Sequence, residues 1–102
     1  MKFRLDEKLK KYMLETNQLD IILYSSCYNT WGGALKEVSA MFADENTTNL
    51  ESRGYTRGET EVGSVYYVER DIEFGPQPKL KLLSLWKAKH ILLSGIRPAG
   101  NW

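Results

Sequence analysis

The sequence contains few of the residues on which most catalytic and metal sites depend. Its 102 residues include one cysteine, one histidine and three prolines. A single cysteine, Cys27, excludes an internal disulfide and is typical of a protein from a reducing compartment. A structural zinc site needs four ligands drawn mainly from cysteine and histidine, so one residue of each type argues against such a site.

Long apolar runs and a surplus of one charge are also lacking. The N-terminal stretch MKFRLDEKLKKYMLE carries charges throughout, unlike a signal peptide, and no run approaches the roughly 20 apolar residues of a membrane helix. Fourteen basic and thirteen acidic side chains give a net charge of +1, which provides no broad attraction for nucleic acid or an anionic membrane. We therefore expect a cytoplasmic protein with no nucleic-acid partner and no membrane partner.

What the sequence does contain is the composition of one folded domain. Apolar residues make up 42% and charged residues 26% of the chain, close to the globular average. The length is that of one domain and too short for two independent cores. We predict a single domain over residues 1–102.

The N-terminal region has the periodicity of an amphipathic helix. Leu5, Leu9 and Met13 recur at a spacing of four residues, with lysines and glutamates around the rest of the circumference. The helix is predicted over about Asp6 to Thr16. Asn17 is a plausible terminator, because asparagine tolerates the left-handed backbone that ends many helices.

Strands are predicted where side chains alternate or where β-branched and aromatic residues cluster. The segments so predicted are 19–27, 35–43, 64–69, 79–86 and 90–97, although 35–43 also fits helical spacing. Asparagine and paired glycines predict a loop over 28–33, so the first strand ends at or just after Cys27. Gly75-Pro76-Gln77-Pro78 is predicted to break the chain, because proline cannot donate to a sheet ladder.

The order of these segments predicts the fold class. A helix followed by about five strands separated by polar turns is typical of an α+β domain rather than a parallel β-α-β fold. We predict an N-terminal helix followed by a mostly antiparallel or mixed β-sandwich or open barrel. The almost wholly polar segment 44–61 is predicted to be a mobile loop or a long hairpin connection.

Cys27 is the first candidate functional residue, because the prediction places it where a strand meets a glycine-containing loop. A lone cysteine is, however, more often a small buried hydrophobic residue than a nucleophile or a ligand. Thiolate catalysis would need a histidine base, and the single histidine, His90, lies on a separate predicted strand. No catalytic residue is predicted, and a non-enzymatic protein is favoured.

Three aromatic residues are candidates for a partner-binding surface. Tyr28, Trp31 and Trp102 lie in predicted loop or tail segments, and exposed tryptophan and tyrosine are overrepresented at interface hot spots. In so small a chain, aromatic residues are as often part of the core or its rim. Both interpretations stay open.

Three sequence segments follow one another in an order that resembles a known family. They are the initial helix FRLDEKLKKYM, the strand-cysteine-glycine segment DIILYSSCYNTWGG, and VGSVYYVERDI, which looks like a valine-aspartate-glycine-valine-x-valine strand. The family is that of the HesB-like, or A-type, iron-sulfur biosynthesis proteins, in particular its short single-domain relatives. The strand-cysteine-glycine segment is the most diagnostic part.

The resemblance implies a compact β-rich fold and an iron or iron-sulfur cofactor held by cysteines that subunits often share. Cys27 matches the first of those cysteines. The chain departs from the family at its C-terminus, where residues 95–102 contain no Cys-x-Cys pair. Iron-sulfur clusters are held chiefly by several thiolates, so a cluster on this chain would have to draw on more than one subunit.

Two functions follow as expectations. The first is a non-enzymatic HesB-like protein in which Cys27 binds iron, another thiophilic metal or a cluster across a homodimer. The second is a non-catalytic protein-interaction module that keeps the fold without a metal site and uses the segment from Tyr28 to Gly33, together with Trp102. A thiol-dependent redox enzyme is a third and weaker alternative, because it requires a lowered cysteine pKa that no neighbouring residue in the sequence clearly provides.

Overall fold

The chain begins with a short strand and a helix and then continues almost entirely as strands. A computed structural model describes residues 1–45, 47, 49–86 and 88–99. The elements, in chain order, are β1 (Arg4–Leu5), α1 (Glu7–Thr16), β2 (Asp20–Thr30), β3 (Gly33–Phe42), β4 (Thr56–Glu59), β5 (Ser64–Tyr67), β6 (Ile72–Leu85) and β7 (Ala88–Pro98), with 3₁₀ turns at Glu51–Arg53 and Glu69–Asp71. The predicted α+β class with an N-terminal helix is confirmed.

Helix α1 begins and ends at residues that the sequence indicates. The side chain of Asp6 accepts a hydrogen bond from the Leu9 backbone N–H at 2.9 Å, which satisfies one of the free N–H groups at a helix start. Asn17 adopts a left-handed backbone with φ of 54°, and its N–H donates to the carbonyl oxygen of Met13. Leu9 and Met13 are fully buried, so the predicted apolar stripe faces the core.

The strands form two mixed sheets. A four-stranded sheet has the order β3-β2-β5-β4, and a three-stranded sheet has the order β1-β6-β7. The pairs β2–β5 and β1–β6 are parallel, and the other neighbouring pairs are antiparallel. Within the described residues the two sheets do not close into one barrel.

Both sheets and the helix contribute to one hydrophobic core. Its centre consists of fully buried side chains from α1, β2, β5 and β6, namely Leu9, Met13, Ile21, Leu23, Val65 and Leu80. Phe3, Tyr67 and Phe74 add an aromatic cluster at its side, with ring centroids 4.9 to 5.9 Å apart in edge-on geometry. Such aromatic pairs stabilise the fold beyond the area that they bury.

The predicted loop over 28–33 is wrong, because β2 and β3 form one long hairpin. Their ladder runs without interruption from Ile21 opposite Phe42 to Thr30 opposite Gly33. Gly33 has a φ of 116°, a conformation that glycine adopts at little steric cost. The turn therefore needs only residues 31 and 32, while the prediction of a strand over 35–43 is confirmed.

The segment 44–61 is only partly the connection that its polarity predicts. Thr56–Glu59 forms β4, which pairs antiparallel with β5. Phe3 lies against this strand at Gly58, where a Cβ would be 3.0 Å from the Phe3 Cδ2 atom. The aromatic residue that packs against β4 comes from the N-terminus of the chain, so local composition could not indicate this strand.

The predicted chain break at 75–78 is an irregularity inside a single strand. β6 runs from Ile72 to Leu85, and its register against β7 shifts between Phe74 and Lys79. A bulge of this kind accommodates prolines, which cannot donate to the ladder. The β6–β7 hairpin therefore extends further than the sequence pattern predicts. Among the described residues, no helix has the length and apolar character needed to cross a bilayer.

Candidate functional site

Cys27 lies inside β2, which continues to Thr30. It shares a face with Ile21 and Leu23, which are buried in the core, but its own side chain is exposed. Its partner across the ladder is Lys36. The prediction that Cys27 ends the strand is therefore wrong, because cross-strand pairing continues beyond it. The thiol is nevertheless accessible.

The residue types that ligate metals are dispersed over the fold. His90 lies on β7 opposite Leu83, in the three-stranded sheet, whereas Cys27 belongs to the four-stranded sheet. In the part of the chain that the structure describes, no group of three or more His, Cys, Asp or Glu side chains is placed to hold a metal ion. A metal bound at Cys27 would therefore need ligands from a second chain.

Exposed apolar side chains collect on one face of the β2–β3 hairpin. Tyr28 and Leu35 are direct partners across the ladder, and Tyr24 and Met41 lie on the same face. Each of these four side chains is 40 to 46% exposed, and Trp31 at the hairpin turn is fully exposed. We call these five residues the aromatic face. They are half of the ten exposed large hydrophobic residues among those described.

A hydrogen bond fixes one ring of the aromatic face. The Tyr28 hydroxyl donates to Oε2 of Glu37 at 2.8 Å, and this interaction raises the pKa of Tyr28 above 10.0. The bond joins Tyr28 to a carboxylate on the same face of the hairpin. A side chain that is already ordered loses less conformational entropy when a partner binds.

A groove runs beside the aromatic face, between the edge strands β3 and β7. Its volume is about 730 Å³, within the range of small-molecule and peptide pockets. The lining combines apolar side chains, including Val38, Phe42, Ile91 and Leu93, with the basic residues Lys36, Lys89 and Arg97. Tyr24 contributes to both the groove and the aromatic face. A partner bound on the aromatic face would therefore have a path into the groove.

The candidate partner-binding residues have different outcomes. Tyr28 and Trp31 are exposed in the structure, whereas Trp102 lies outside the described residues. Sequence reasoning missed Trp86, which is fully exposed at the turn of the β6–β7 hairpin. The sequence did contain a signal for this exposed turn residue. The tryptophan directly precedes the short basic connection 87–89, which joins two leucine-rich predicted strands.

Comparison of the chain with family models, with curated proteins and with solved structures finds no match in any of the three. The resemblance to HesB-like proteins therefore stays a prediction from sequence.

Proposed function

We propose that the protein is a non-catalytic protein-interaction module whose binding surface is the aromatic face of the β2–β3 hairpin. The concentration of exposed Tyr24, Tyr28, Leu35 and Met41 on one side of one hairpin carries this proposal. Contiguous exposed apolar surface marks interaction sites in soluble proteins. Tyrosine and tryptophan are also the residues most enriched at the centres of protein interfaces.

The architecture supports this proposal in a second way. We infer that the two sheets pack as an open sandwich around their common core, which leaves the outer sides of the hairpins available to partners. The inner residues of β2, such as Ile21 and Leu23, are buried, and Ile22 is buried on the opposite face, whereas Tyr24 and Tyr28 further along that face are 40% and 46% exposed. Sites on rigid strands position their side chains more precisely than sites on loops.

Photocrosslinking from the aromatic face tests the proposal. We expect Tyr28→p-benzoylphenylalanine, expressed in its native host and irradiated, to give one discrete crosslinked product. A second substitution, Leu35→Asp, should lower its yield about tenfold or more, because a carboxylate buried in an apolar interface costs more than about 1.4 kcal/mol. If the partner is a second copy of the chain, purified protein gives the same product at the mass of a dimer.

The matched control places the same photoreactive residue on the helix, as Lys11→p-benzoylphenylalanine. The Lys11 side chain is 78% exposed but lies outside the aromatic face. Equal crosslinking from both positions, or a product that Leu35→Asp leaves unchanged, would contradict an interface on the aromatic face.

A second candidate function is metal binding at Cys27 by a HesB-like protein. The exposure of its thiol favours this function, since thiolates are the preferred ligands of iron-sulfur clusters and of other thiophilic metals. The remaining ligands would come from a second subunit, so this function requires a homodimer. It places the shared site on the opposite side of β2 from the aromatic face.

Metal analysis of protein purified without oxygen separates the two functions. The metal hypothesis expects stoichiometric iron or another thiophilic metal, with thiolate-to-metal absorption, in the wild type and neither in Cys27→Ser. If wild type and variant are both free of metal, the hypothesis fails. That result would leave the interaction module unaffected, because Tyr28 and Leu35 do not depend on the thiol.

A further inference from the structure

The near-zero net charge conceals a separation of charge along the chain. All thirteen acidic residues precede Phe74, whereas the segment from 74 to 102 contains four lysines, one arginine and no carboxylate side chain. The first 73 residues therefore carry nine basic against thirteen acidic side chains. The β6–β7 hairpin also contains Glu73, which pairs with Arg97 at 2.9 Å, and it is locally basic even though the protein as a whole is not. The expectation of no nucleic-acid and no membrane partner was based on the net charge of the whole chain, which combines these two regions.

The outer side of the three-stranded sheet has cations at one end and apolar residues at the other. Arg4 pairs with Lys79 across β1 and β6, and the exposed Lys81 follows on the same side. Further along, Lys81 faces Leu92, which is 45% exposed. Leu85, 54% exposed, lies next to the turn. The hairpin thus ends in two exposed apolar side chains, Leu85 and Trp86, with Lys89 beside the turn and Lys81 further back along β6.

Trp86 lies at the tip of this hairpin, where the exposure of its side chain and the conformation of its backbone are both unfavourable for a tryptophan. Its side chain is fully exposed, and its backbone adopts a left-handed conformation with φ of 55°. Bulky residues rarely adopt this conformation, which suits glycine. No aromatic contact with Trp86 is found among the described residues. A two-residue turn between Leu85 and Ala88 favours this left-handed backbone, so glycine or asparagine would suit the position better than the exposed tryptophan that occupies it.

We propose that the tip of the β6–β7 hairpin inserts into the interface of an anionic lipid bilayer. Trp86 would occupy the headgroup boundary, where tryptophan is enriched in membrane proteins, and Leu85 would reach the outer acyl region. Lys81 lies about 13 Å behind Leu85 at the rise of a β-strand, which places its ammonium group among the lipid phosphates. Anionic lipid surfaces attract such basic segments.

The aliphatic side chains on this side of the hairpin favour a lipid bilayer over nucleic acid as the anionic partner. Leu83 and His90 are partners across the ladder, between Leu92 and the tip. Nucleic-acid surfaces are polar and highly charged, so leucines beside the lysines would gain little from contact with phosphates or sugars. An acyl layer buries the same leucines favourably. The combination of leucine, tryptophan and lysine therefore favours the bilayer.

Vesicle cosedimentation tests the proposal on the full chain. We expect binding to vesicles of phosphatidylcholine with about one-third phosphatidylglycerol, little binding to phosphatidylcholine alone, and weakening as salt is raised. Trp86→Ala should lower the affinity about tenfold, as expected for the loss of one large buried side chain. Lys81→Gln should lower it about fivefold, because one cationic contact is lost.

The other hairpin provides the matched control. Trp31→Ala removes an equally exposed tryptophan from the turn of the β2–β3 hairpin and should leave vesicle binding unchanged. Trp86→Gly guards against misfolding, because glycine suits the φ of 55°. It should fold at least as well as the wild type and bind as weakly as Trp86→Ala.

Three results would overturn the proposal. The first is equal binding to neutral and anionic vesicles. The second is an equal loss of binding in Trp31→Ala and Trp86→Ala. The third is absence of binding to the anionic vesicles. If Trp86-dependent binding of a single-stranded oligonucleotide accompanies that result, the hairpin is assigned to nucleic acid.

Discussion

Substitution of Gly63 by alanine is expected to cause one of the largest losses of stability available to a single methyl group in this protein. A Cβ at this position would overlap the carbonyl oxygen of Leu19 and lie 2.6 Å from its carbonyl carbon. The same oxygen accepts a hydrogen bond from the Ser64 N–H at 3.0 Å. Relief of the overlap therefore requires the chain before β2 to move away from β5. We expect the free energy of unfolding to fall by about 3 kcal/mol or more, measured by urea denaturation.

The control for this prediction is Gly32→Ala in the β2–β3 turn. The nearest atom to a Cβ there is Oγ1 of Thr30 at 3.9 Å, which is an ordinary van der Waals contact. We expect a change within about 0.5 kcal/mol. If Gly63→Ala were as stable as Gly32→Ala, the approach of Leu19 to β5 would not be close-packed.

Some elements could be predicted because their determinants are local. The limits of α1 depend on Asp6 and Asn17, which cap the helix with their own side chain or backbone. Its buried face depends on a spacing that is visible within a few turns. The strands around Val65 and Leu80 could be predicted for a similar reason, since their composition and alternation suit only one backbone conformation.

Other elements could not be predicted because distant residues determine them. The segment from Tyr28 to Gly33 contains turn-forming residues throughout, and only pairing with β3 shows that four of its six residues belong to strands. β4 consists of polar residues and Gly58, and it forms where Phe3 packs against it. Strand formation depends on such tertiary contacts more than helix formation does.

The candidate sites also depend on contacts between residues that are distant in the sequence. Alternation along β2 could predict that Tyr24 and Cys27 lie on opposite faces of the strand. It could not show that Tyr24, Leu35 and Met41 would form one exposed surface. The separation of charge is visible in the printed sequence. What the sequence does not show is that Lys81, Leu92 and Leu85 share one side of a hairpin that ends in an exposed tryptophan.

The two hairpins present two different surfaces and share one small core. The β2–β3 hairpin presents Tyr28, which is hydrogen-bonded to Glu37, and Trp31 at its turn. The β6–β7 hairpin presents Trp86, which precedes Lys87 in the sequence. Both are anchored by inner residues that are buried in a common core. A protein partner confined to Tyr28 and Trp31 would leave Leu85 and Trp86 accessible to a membrane, whereas a partner that extended into the groove would also contact Leu92, which lines it.

Truncation of Leu80 separates the role of the core from the role of the surface. Leu80 is fully buried, next to Leu5 on β1 and opposite Leu93 on β7. Leu80→Ala should lower the free energy of unfolding by about 3 kcal/mol through lost burial and a residual cavity. Leu92→Ala, at a position that is 45% exposed, should cost less than about 1 kcal/mol.

Vesicle binding should show the opposite order for these two variants. Leu80→Ala should bind anionic vesicles like the wild type at temperatures where it is folded, since its tip is intact. Leu92→Ala should bind more weakly, because its side chain belongs to the proposed membrane surface. Parallel measurement of urea unfolding and cosedimentation checks both expectations. Loss of stability and of vesicle binding in the same proportion for both variants would mean that the β6–β7 hairpin contributes only to folding.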